Sequence, residues 1–87
     1  MKVEVKKKFI RIFDKRFRSD KALQEKFKER TKMFEVNPSN IFLHDHKLTG
    51  DKEGFRAFSI TGDIRVIYVI EKGTAYFLDI GTHNQIY

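Results

Sequence analysis

The stretch IRVIYVIE at residues 64–71 decides the fold, because it is the strongest strand signal in the chain. Its β-branched side chains fit the pleated surface of a sheet. Alternate side chains of a strand share a face, so Arg65 lies on the same face as Ile67. An unpaired arginine in a core is costly. We therefore expect this face to be open to solvent or to a ligand, unless Arg65 forms an ion pair with Asp63 or Glu71.

The segments on either side of this stretch complete a three-stranded antiparallel meander. Thr61-Gly62-Asp63 is a short hairpin connection, and Lys72-Gly73-Thr74 turns the chain again. These turns predict one strand at residues 55–60 and another at residues 75–80. Residues 40–51 lack a clear periodicity and are expected to be irregular.

The residues before Pro38 predict one short strand and two helices. Residues 1–6 alternate between apolar and charged side chains, as in a strand. The first helix follows, with an apolar stripe formed by Phe9, Ile10, Ile12, Phe13 and Phe17. Ser19 is the expected N-cap of the second helix, Asp20 supplies an acid in its first turn, and Pro38 ends it. Its expected inner face comprises Ala22, Leu23, Phe27, Arg30, Thr31 and Phe34.

The element order is therefore β-α-α-β-β-β, which indicates an α+β two-layer sandwich. Two N-terminal helices cover one face of an antiparallel sheet, and the N-terminal strand pairs at an edge. A length of 87 residues accommodates one domain, residues 1–87. The absence of cysteine excludes a disulfide scaffold and a zinc ribbon.

The positive charge is concentrated in the first half of the chain. Residues 1–36 contain thirteen Lys and Arg against six Asp and Glu, whereas the remaining residues contain five against six. One interpretation is a solvated helix face, since Lys and Arg are good surface helix formers. Such a one-sided distribution also favours docking to a polyanion: nucleic acid first, then an acidic protein, then an anionic membrane surface.

The apolar pattern argues against membrane insertion or export. The longest uninterrupted apolar run has five residues, at positions 66–70. Spanning a bilayer takes about 20 apolar residues. The basic N-terminus is followed by no apolar stretch of signal-peptide length. We therefore expect a cytoplasmic protein.

Six polar residues of the second half are candidates for chemistry: His46, Arg56, Asp63, Arg65, His83 and Tyr87. Cleaving RNA without a metal needs a base for the 2′-hydroxyl proton, cations beside the phosphate and an acid for the departing 5′-oxygen. Histidine titrates at about pH 6.5 and fills either proton-transfer role. Arginine forks onto phosphate oxygens. The set thus contains a group for each of these roles.

Each candidate also has a structural interpretation. Arg56 could pair with Glu53 or Asp51. His44 and His46 could ligate a metal, although two histidines without a third ligand are a weak signal. Asp in a Gly-Asp pair suits a hairpin turn. The final tyrosine could be part of a loose chain end.

Four segments in this order resemble the RelE/ParE toxin superfamily, and within it the YafQ-like branch of type II toxin–antitoxin toxins. They are HKLTG at residues 46–50, GFR at 54–56, GDIRVIY at 62–68 and GTH at 81–83. The resemblance implies a RelE-like fold, similar to microbial ribonucleases. It also implies a ribosome-dependent mRNA endonuclease that inhibits translation and leaves a cyclic phosphate, or its opened 3′-phosphate, and a 5′-hydroxyl.

The resemblance also implies roles for individual residues. His46 corresponds to a loop histidine and is the candidate general base, and His83 is the candidate general acid. Asp63 corresponds to an acidic residue of the YafQ-like site. Arg65 corresponds to an arginine that stabilises phosphate, and Tyr87 to a C-terminal aromatic that stacks on a base or orients the substrate.

The expected partners also follow from the resemblance. They are a cognate acidic antitoxin, the ribosome and mRNA, with no membrane, cofactor or metal and with oligomers only through the antitoxin complex. The basic helices would face ribosomal RNA. The expected RNA-binding residues are Lys7, Lys8, Arg11, Lys47 and Arg56.

Two positions depart from the YafQ-like pattern. Ser59 stands where that pattern has a histidine, and Ile64 where it has a tryptophan. Two other functions therefore stay open. One is a ParE-like gyrase inhibitor, against which the terminal His83 and Tyr87 argue. The other is a catalytically degenerate module that binds RNA or only an antitoxin, which Ser59 favours.

Overall fold

The strand predicted over residues 64–71 is the central member of a five-stranded sheet in the computed structural model, which describes residues 1–87. In chain order the elements are β1 (Lys2–Val5), α1 (Lys7–Phe17), α2 (Lys21–Val36), β2 (His46–Lys47), β3 (Arg56–Ser59), β4 (Ile64–Glu71), β5 (Thr74–Thr82) and α3 (His83–Ile86). Single 3₁₀ turns occupy Ile41–Leu43 and Gly50–Lys52. No helix has the length and apolar character that crossing a lipid bilayer requires.

The sheet has the order β1-β5-β4-β3-β2. The predicted α+β class, the meander and the edge position of β1 are confirmed. The prediction of an antiparallel sheet holds for β2 to β5 but not for β1, which runs parallel to β5, with Val5 opposite Phe77 at the end of the pairing. The α1–α2 hairpin carries the chain from β1 at one edge of the sheet to β2 at the opposite edge. The meander then crosses the sheet back to β5, which runs in the same direction as β1. Residues 46–47, expected to be irregular, form β2 beside β3.

The turn and the irregularity along β5 shape the edge where the chain ends. Lys72 and Gly73 both have positive φ, at 51° and 80°, as a two-residue type I′ hairpin requires. Further on, the register between β4 and β5 shifts between Ile67 and Tyr68, so one residue of β5 is left over. Such a bulge bends the strand and increases its local twist.

The two long helices bury the main core against one sheet face. Phe9, Phe17, Leu23 and Phe34 from the helices pack with Phe58, Ile64, Val66, Tyr68 and Phe77 from the strands. Ile10, predicted to face inward, is 55% exposed, so the apolar stripe of α1 is narrower than its sequence suggests. Ala22 is likewise exposed. The N-cap of α2 is Asp20 rather than Ser19, since the Asp20 carboxylate accepts the Leu23 N–H at 2.9 Å.

The opposite sheet face carries a second, smaller apolar cluster. It consists of Leu48, Ala57, Ile67 and Ile86, with Phe55 packed against it. Leu48 follows β2 and Ile86 belongs to α3, so the loop after β2 and the C-terminal helix meet on this face. Arg65 shares the face with Ile67, as the alternation along β4 predicts.

A partly buried polar network joins the start of β2 to the core. Arg56 Nη2 donates to Asp45 Oδ2 at 2.8 Å, and the Tyr68 hydroxyl donates to Asp45 Oδ1 at 2.5 Å. The suggested pairing of Arg56 with Glu53 or Asp51 is wrong, because Asp45 takes that place. Burial raises the pKa of the Tyr68 hydroxyl well above its usual range, and the hydrogen bond to Asp45 adds to the shift. Tyr68 therefore stays a protonated donor.

We expect Tyr68→Phe to lower the free energy of unfolding by about 1–3 kcal/mol at pH 7, because Asp45 loses a donor in a buried setting. The deficit relative to wild type should shrink as the pH rises above about 10, where unfolded tyrosine ionises. Folding raises the pKa of the Tyr68 hydroxyl. Its contribution to the free energy of unfolding is therefore complete below about pH 10 and is lost as the pH rises further. Urea denaturation between pH 7 and pH 11 measures both effects.

The matched control is Tyr76→Phe, which removes a hydroxyl that makes no hydrogen bond within the chain. A Tyr68→Phe deficit that equals the control at pH 7, or that stays constant up to pH 11, would contradict the importance of this network.

Candidate active site

An open cavity of about 380 Å³ lies against the sheet face that carries Arg65. Its lining combines two imidazoles, three cationic side chains and one phenol, with no carboxylate side chain among them. The lining residues are His46, Lys47, Leu48, Thr49, Lys52, Arg65, His83 and Tyr87. Four of the five predicted catalytic residues are thus brought together from three distant parts of the chain.

The sheet register explains this convergence. His46 on β2 pairs with Ala57 on β3, and Ala57 pairs with Ile67 on β4, so all three share the Arg65 face. Asp45, the residue before His46, lies on the other side of the strand, in the network with Tyr68. Holding Asp45 in the core therefore directs His46 toward the cavity.

His46 is oriented by the backbone before it. Its Nδ1 lies 2.9 Å from the carbonyl oxygen of His44. A carbonyl oxygen can only accept, so Nδ1 carries the proton in this hydrogen bond. In the neutral ring Nε2 is then left with a free lone pair. His46 is therefore presented as a proton acceptor at Nε2.

Arg65 makes no ion pair, and neither Asp63 nor Glu71 contacts it as the sequence allowed. Its neighbours across the sheet are Ser59 and Gly81, both too small to cover its guanidinium. An arginine without a carboxylate partner keeps its donors available for a ligand. With Lys47 and Lys52 in the same lining, the cavity suits an anion such as phosphate.

His83 and Tyr87 enter the cavity through α3. The Thr82 hydroxyl accepts the Gln85 N–H at 3.3 Å, and the Gln85 side chain accepts the Thr82 N–H at 2.8 Å, which forms a capping box. The Tyr87 N–H donates to the His83 carbonyl at 3.0 Å. The two rings lie 4.7 Å apart, centre to centre, at a tilt of 55°. The chain end is thus folded back and held rather than loose.

Two of the predicted site residues lie outside this cavity. Asp63 is exposed in the β3–β4 connection, where its N–H donates to the Thr61 hydroxyl at 3.2 Å. Arg56 is occupied by Asp45 and Tyr68. Neither residue presents a group to the lining, so Asp63 behaves as a turn residue in this structure.

The predicted RNA-binding residues of α1 are also remote from the cavity. Lys7, Lys8 and Arg11 are all exposed, and none of them lines it. Arg11 lies in a separate basic cleft with Lys15, Arg16 and Arg18. These residues therefore form a surface distinct from the cavity, whereas Lys47 belongs to both the predicted RNA-binding set and the lining.

Lys52 is a lining residue that the sequence reasoning missed. The 3₁₀ turn Gly50–Lys52 brings it back toward β2, and Gly50 permits this with a φ of 66°. The available signal was a cation two residues after the glycine of the HKLTG segment. Ser59 and Ile64, the two departures, lie opposite Arg65 and in the main core, respectively.

The chain matches one protein-family profile along residues 1–87. The sequence profile described as "Bacterial toxin of type II toxin-antitoxin system, YafQ" matches residues 1–87. No curated protein sequence matches the chain significantly.

Solved structures agree on the fold. YafQ from E. coli strain BL21(DE3) superposes with a TM-score of 0.76 at 20% identity, over 98% of this chain and 96% of that one. A copper-bound mutant toxin from Helicobacter pylori gives 0.74 at 24% identity, over 100% and 99%. YafQ in the E. coli DinJ–YafQ toxin–antitoxin complex gives 0.73 at 20% identity, over 98% and 94%. With the profile match over its full length, this chain belongs to the YafQ family of toxins of type II toxin–antitoxin systems.

Proposed function

We propose that this toxin is a ribosome-dependent mRNA endonuclease that works without a metal and thereby inhibits translation in the cytoplasm. The observation that carries the proposal is the lining of the cavity, where His46, His83 and Arg65 meet with two lysines and no carboxylate side chain. Two imidazoles supply a base and an acid, and the cations supply charge for a phosphate between them.

In this mechanism His46 Nε2 takes the proton of the 2′-hydroxyl. The 2′-oxygen attacks the neighbouring phosphorus, and the bond from phosphorus to the 5′-oxygen breaks. His83, as imidazolium, gives its proton to that departing oxygen. The products are a 2′,3′-cyclic phosphate and a 5′-hydroxyl, and hydrolysis of the former gives a 3′-phosphate. Charge on the phosphorane is met by Arg65, with Lys47 and Lys52 beside it.

Tyr87 is assigned to stacking on a base. Tyr87 is 46% exposed and its ring lies against His83, which supports stacking of the exposed part of the ring on a nucleobase. Asp63 is given no proton-transfer step, because it lies outside the lining. The cavity is open and its catalytic groups are few, which supports a need for the ribosome to position the mRNA.

An antitoxin is the second proposed partner. A relative, YafQ of E. coli, forms a complex with DinJ. Residues 1–36 of this chain have a net charge of +7, from thirteen cations and six acids. We propose an acidic, partly disordered antitoxin that folds over the helices and covers the Arg65 face or displaces Tyr87.

His46→Ala and His83→Ala should each reduce mRNA cleavage by about 10²-fold or more, because each removes a proton-transfer group. Primer extension on an mRNA in a purified translation system, with and without ribosomes, measures this. With wild-type toxin and with the control variant described next, discrete cuts should appear only when ribosomes are present.

The matched control is His44→Asn, which removes the third imidazole but keeps the backbone carbonyl that accepts from His46. Asparagine also tolerates the left-handed backbone of that position, where φ is 49°. Cuts that persist in both alanine variants would contradict the assigned roles. An absence of cuts by wild type would redirect attention to gyrase inhibition or to a binding module without catalysis.

Binding to ribosomes should weaken steeply as salt rises, because the basic helices release counterions from RNA phosphates. Replacing Lys7, Lys8 and Arg11 together by Gln should flatten the dependence of log K on log salt by roughly 2, at about 0.7–0.9 per phosphate contact. Sedimentation of labelled toxin with ribosomes at several KCl concentrations measures the slope. A slope that is flat, or equal in both proteins, would mean that α1 is not the docking face.

A further inference from the structure

Strand β5 extends beyond the end of its pairing with β1. Its pairing with β1 ends where Val5 lies opposite Phe77, since the chain then turns into α1. The last part of β5 therefore presents an open edge on that side. Unpaired backbone groups at such an edge need other partners.

An ion pair supplies these partners at Ile80. The Ile80 N–H donates to Asp79 Oδ1 at 2.8 Å, and the Ile80 carbonyl accepts from Arg16 Nη1 at 2.7 Å. Arg16 Nη1 also donates to Asp79 Oδ1 at 2.9 Å. The side chains of Arg16 and Asp79 thus take the place of a neighbouring strand and fix the end of α1 to the end of β5.

The same guanidinium lies beside Gly81, near the end of β5 and two residues before α3 begins. A Cβ at this residue would lie 2.9 Å from Arg16 Nη1 and 2.7 Å from Gln85 Oε1. Both distances are shorter than a Cβ normally keeps from a nitrogen or oxygen atom that is not bonded to it. Gln85 Oε1 is the acceptor of the capping box that begins α3. Arg16 and the capping box therefore occupy the space directly over Gly81.

The short helix α3, which begins at His83 and is followed by Tyr87, depends on tertiary contacts for its orientation. It has four residues, His83–Ile86, and a single turn is not stable alone. Its anchors are Ile86 in the second apolar cluster and the junction at Gly81. The orientations of the His83 and Tyr87 rings therefore depend on the packing of Ile86 and on the contacts at Gly81.

We infer that Arg16 is a positioning residue for His83 and Tyr87. It holds the β5–α3 junction through Ile80 and Asp79 and limits the space that Gln85 can occupy. The inference rests on the proposed nuclease for its catalytic consequence but not for its structural one. Arg16 makes no hydrogen bond or ion pair with a lining residue of the cavity, because its partners are Asp79 and Ile80.

Three variants distinguish the positioning of His83 and Tyr87 by Arg16 from a general effect of its charge and from a general loss of stability. Arg16→Gln removes the guanidinium, and Gly81→Ala displaces both the guanidinium and the Gln85 side chain without changing any charge. Arg18→Gln is the matched control, because it removes the same charge two residues away. Arg18 pairs only with Asp14 and its side chain is 75% exposed. Gly81→Ala also disturbs Gln85, so Arg16→Gln is the variant that isolates Arg16. If Arg16→Gln does not fold, Asp79→Ala, which removes the carboxylate partner of Arg16 and leaves Gln85 in place, tests the inference with the same measurements.

The primary measurement is the set of NOEs between the His83 and Tyr87 rings, whose centres are 4.7 Å apart. We expect R16Q and G81A to lose these NOEs while the NOEs of the main core persist, and R18Q to keep them. Ring NOEs retained in R16Q and G81A would overturn the inference. A loss in all three variants would also overturn it, since any loss of charge would then loosen the chain end.

Cleavage kinetics give the second measurement. R16Q and R18Q each remove one positive charge, so both should lose a similar amount of affinity for a polyanion. The comparison therefore uses their kcat values rather than their KM values. We expect kcat of R16Q and G81A to be about tenfold below that of R18Q, because misplaced groups act poorly. Equal kcat values would overturn the catalytic part. If wild type cleaves nothing, the proposed function fails while the NOEs still decide the structural part.

Discussion

The structure depends on the alternation of side chains along β4. Val66 and Tyr68 face the two long helices, while Arg65 and Ile67 face the other side. A shift of one residue would exchange these faces and bury Arg65 among phenylalanines, at a cost of several kcal/mol for an unpaired charge. The same alternation that stabilises the core therefore places Arg65, half-buried and without a carboxylate partner, in the lining of the cavity.

The hydrogen bonds of Asp45 to Arg56 and Tyr68 fix the position of β2 relative to β3 and β4. A two-residue strand has little stability of its own, and its position here is fixed by a carboxylate that accepts from both Arg56 and Tyr68. Asp45 and His46 are consecutive and point to opposite sides, so one residue anchors the strand and the next enters the cavity. Buried polar groups of this kind specify a unique arrangement when all of them are satisfied.

The fold and the candidate site were predictable to different extents. The helices, β4 and the meander follow from periodicity and turn residues, which are local properties. The short elements β2 and α3 were not predictable, because two and four residues are ordered only by tertiary contacts. His46, Arg65, His83 and Tyr87 were selected from residue type and resemblance, and they meet in one cavity. Asp63 was selected in the same way, yet a hairpin turn leaves it outside.

Helix α1 illustrates why residue type alone does not assign a role. Lys15 and Arg16 of α1 and Arg18, which directly follows the helix, each contribute one positive charge, and all three line the same basic cleft. Only Arg16 faces the open edge of β5, where its side chain is 27% exposed and bonded to Asp79. The others remain in solvent, where a cation contributes to long-range attraction but little to stability. A single basic helix can therefore carry both exposed cations and a structural tie to the chain end that carries His83 and Tyr87.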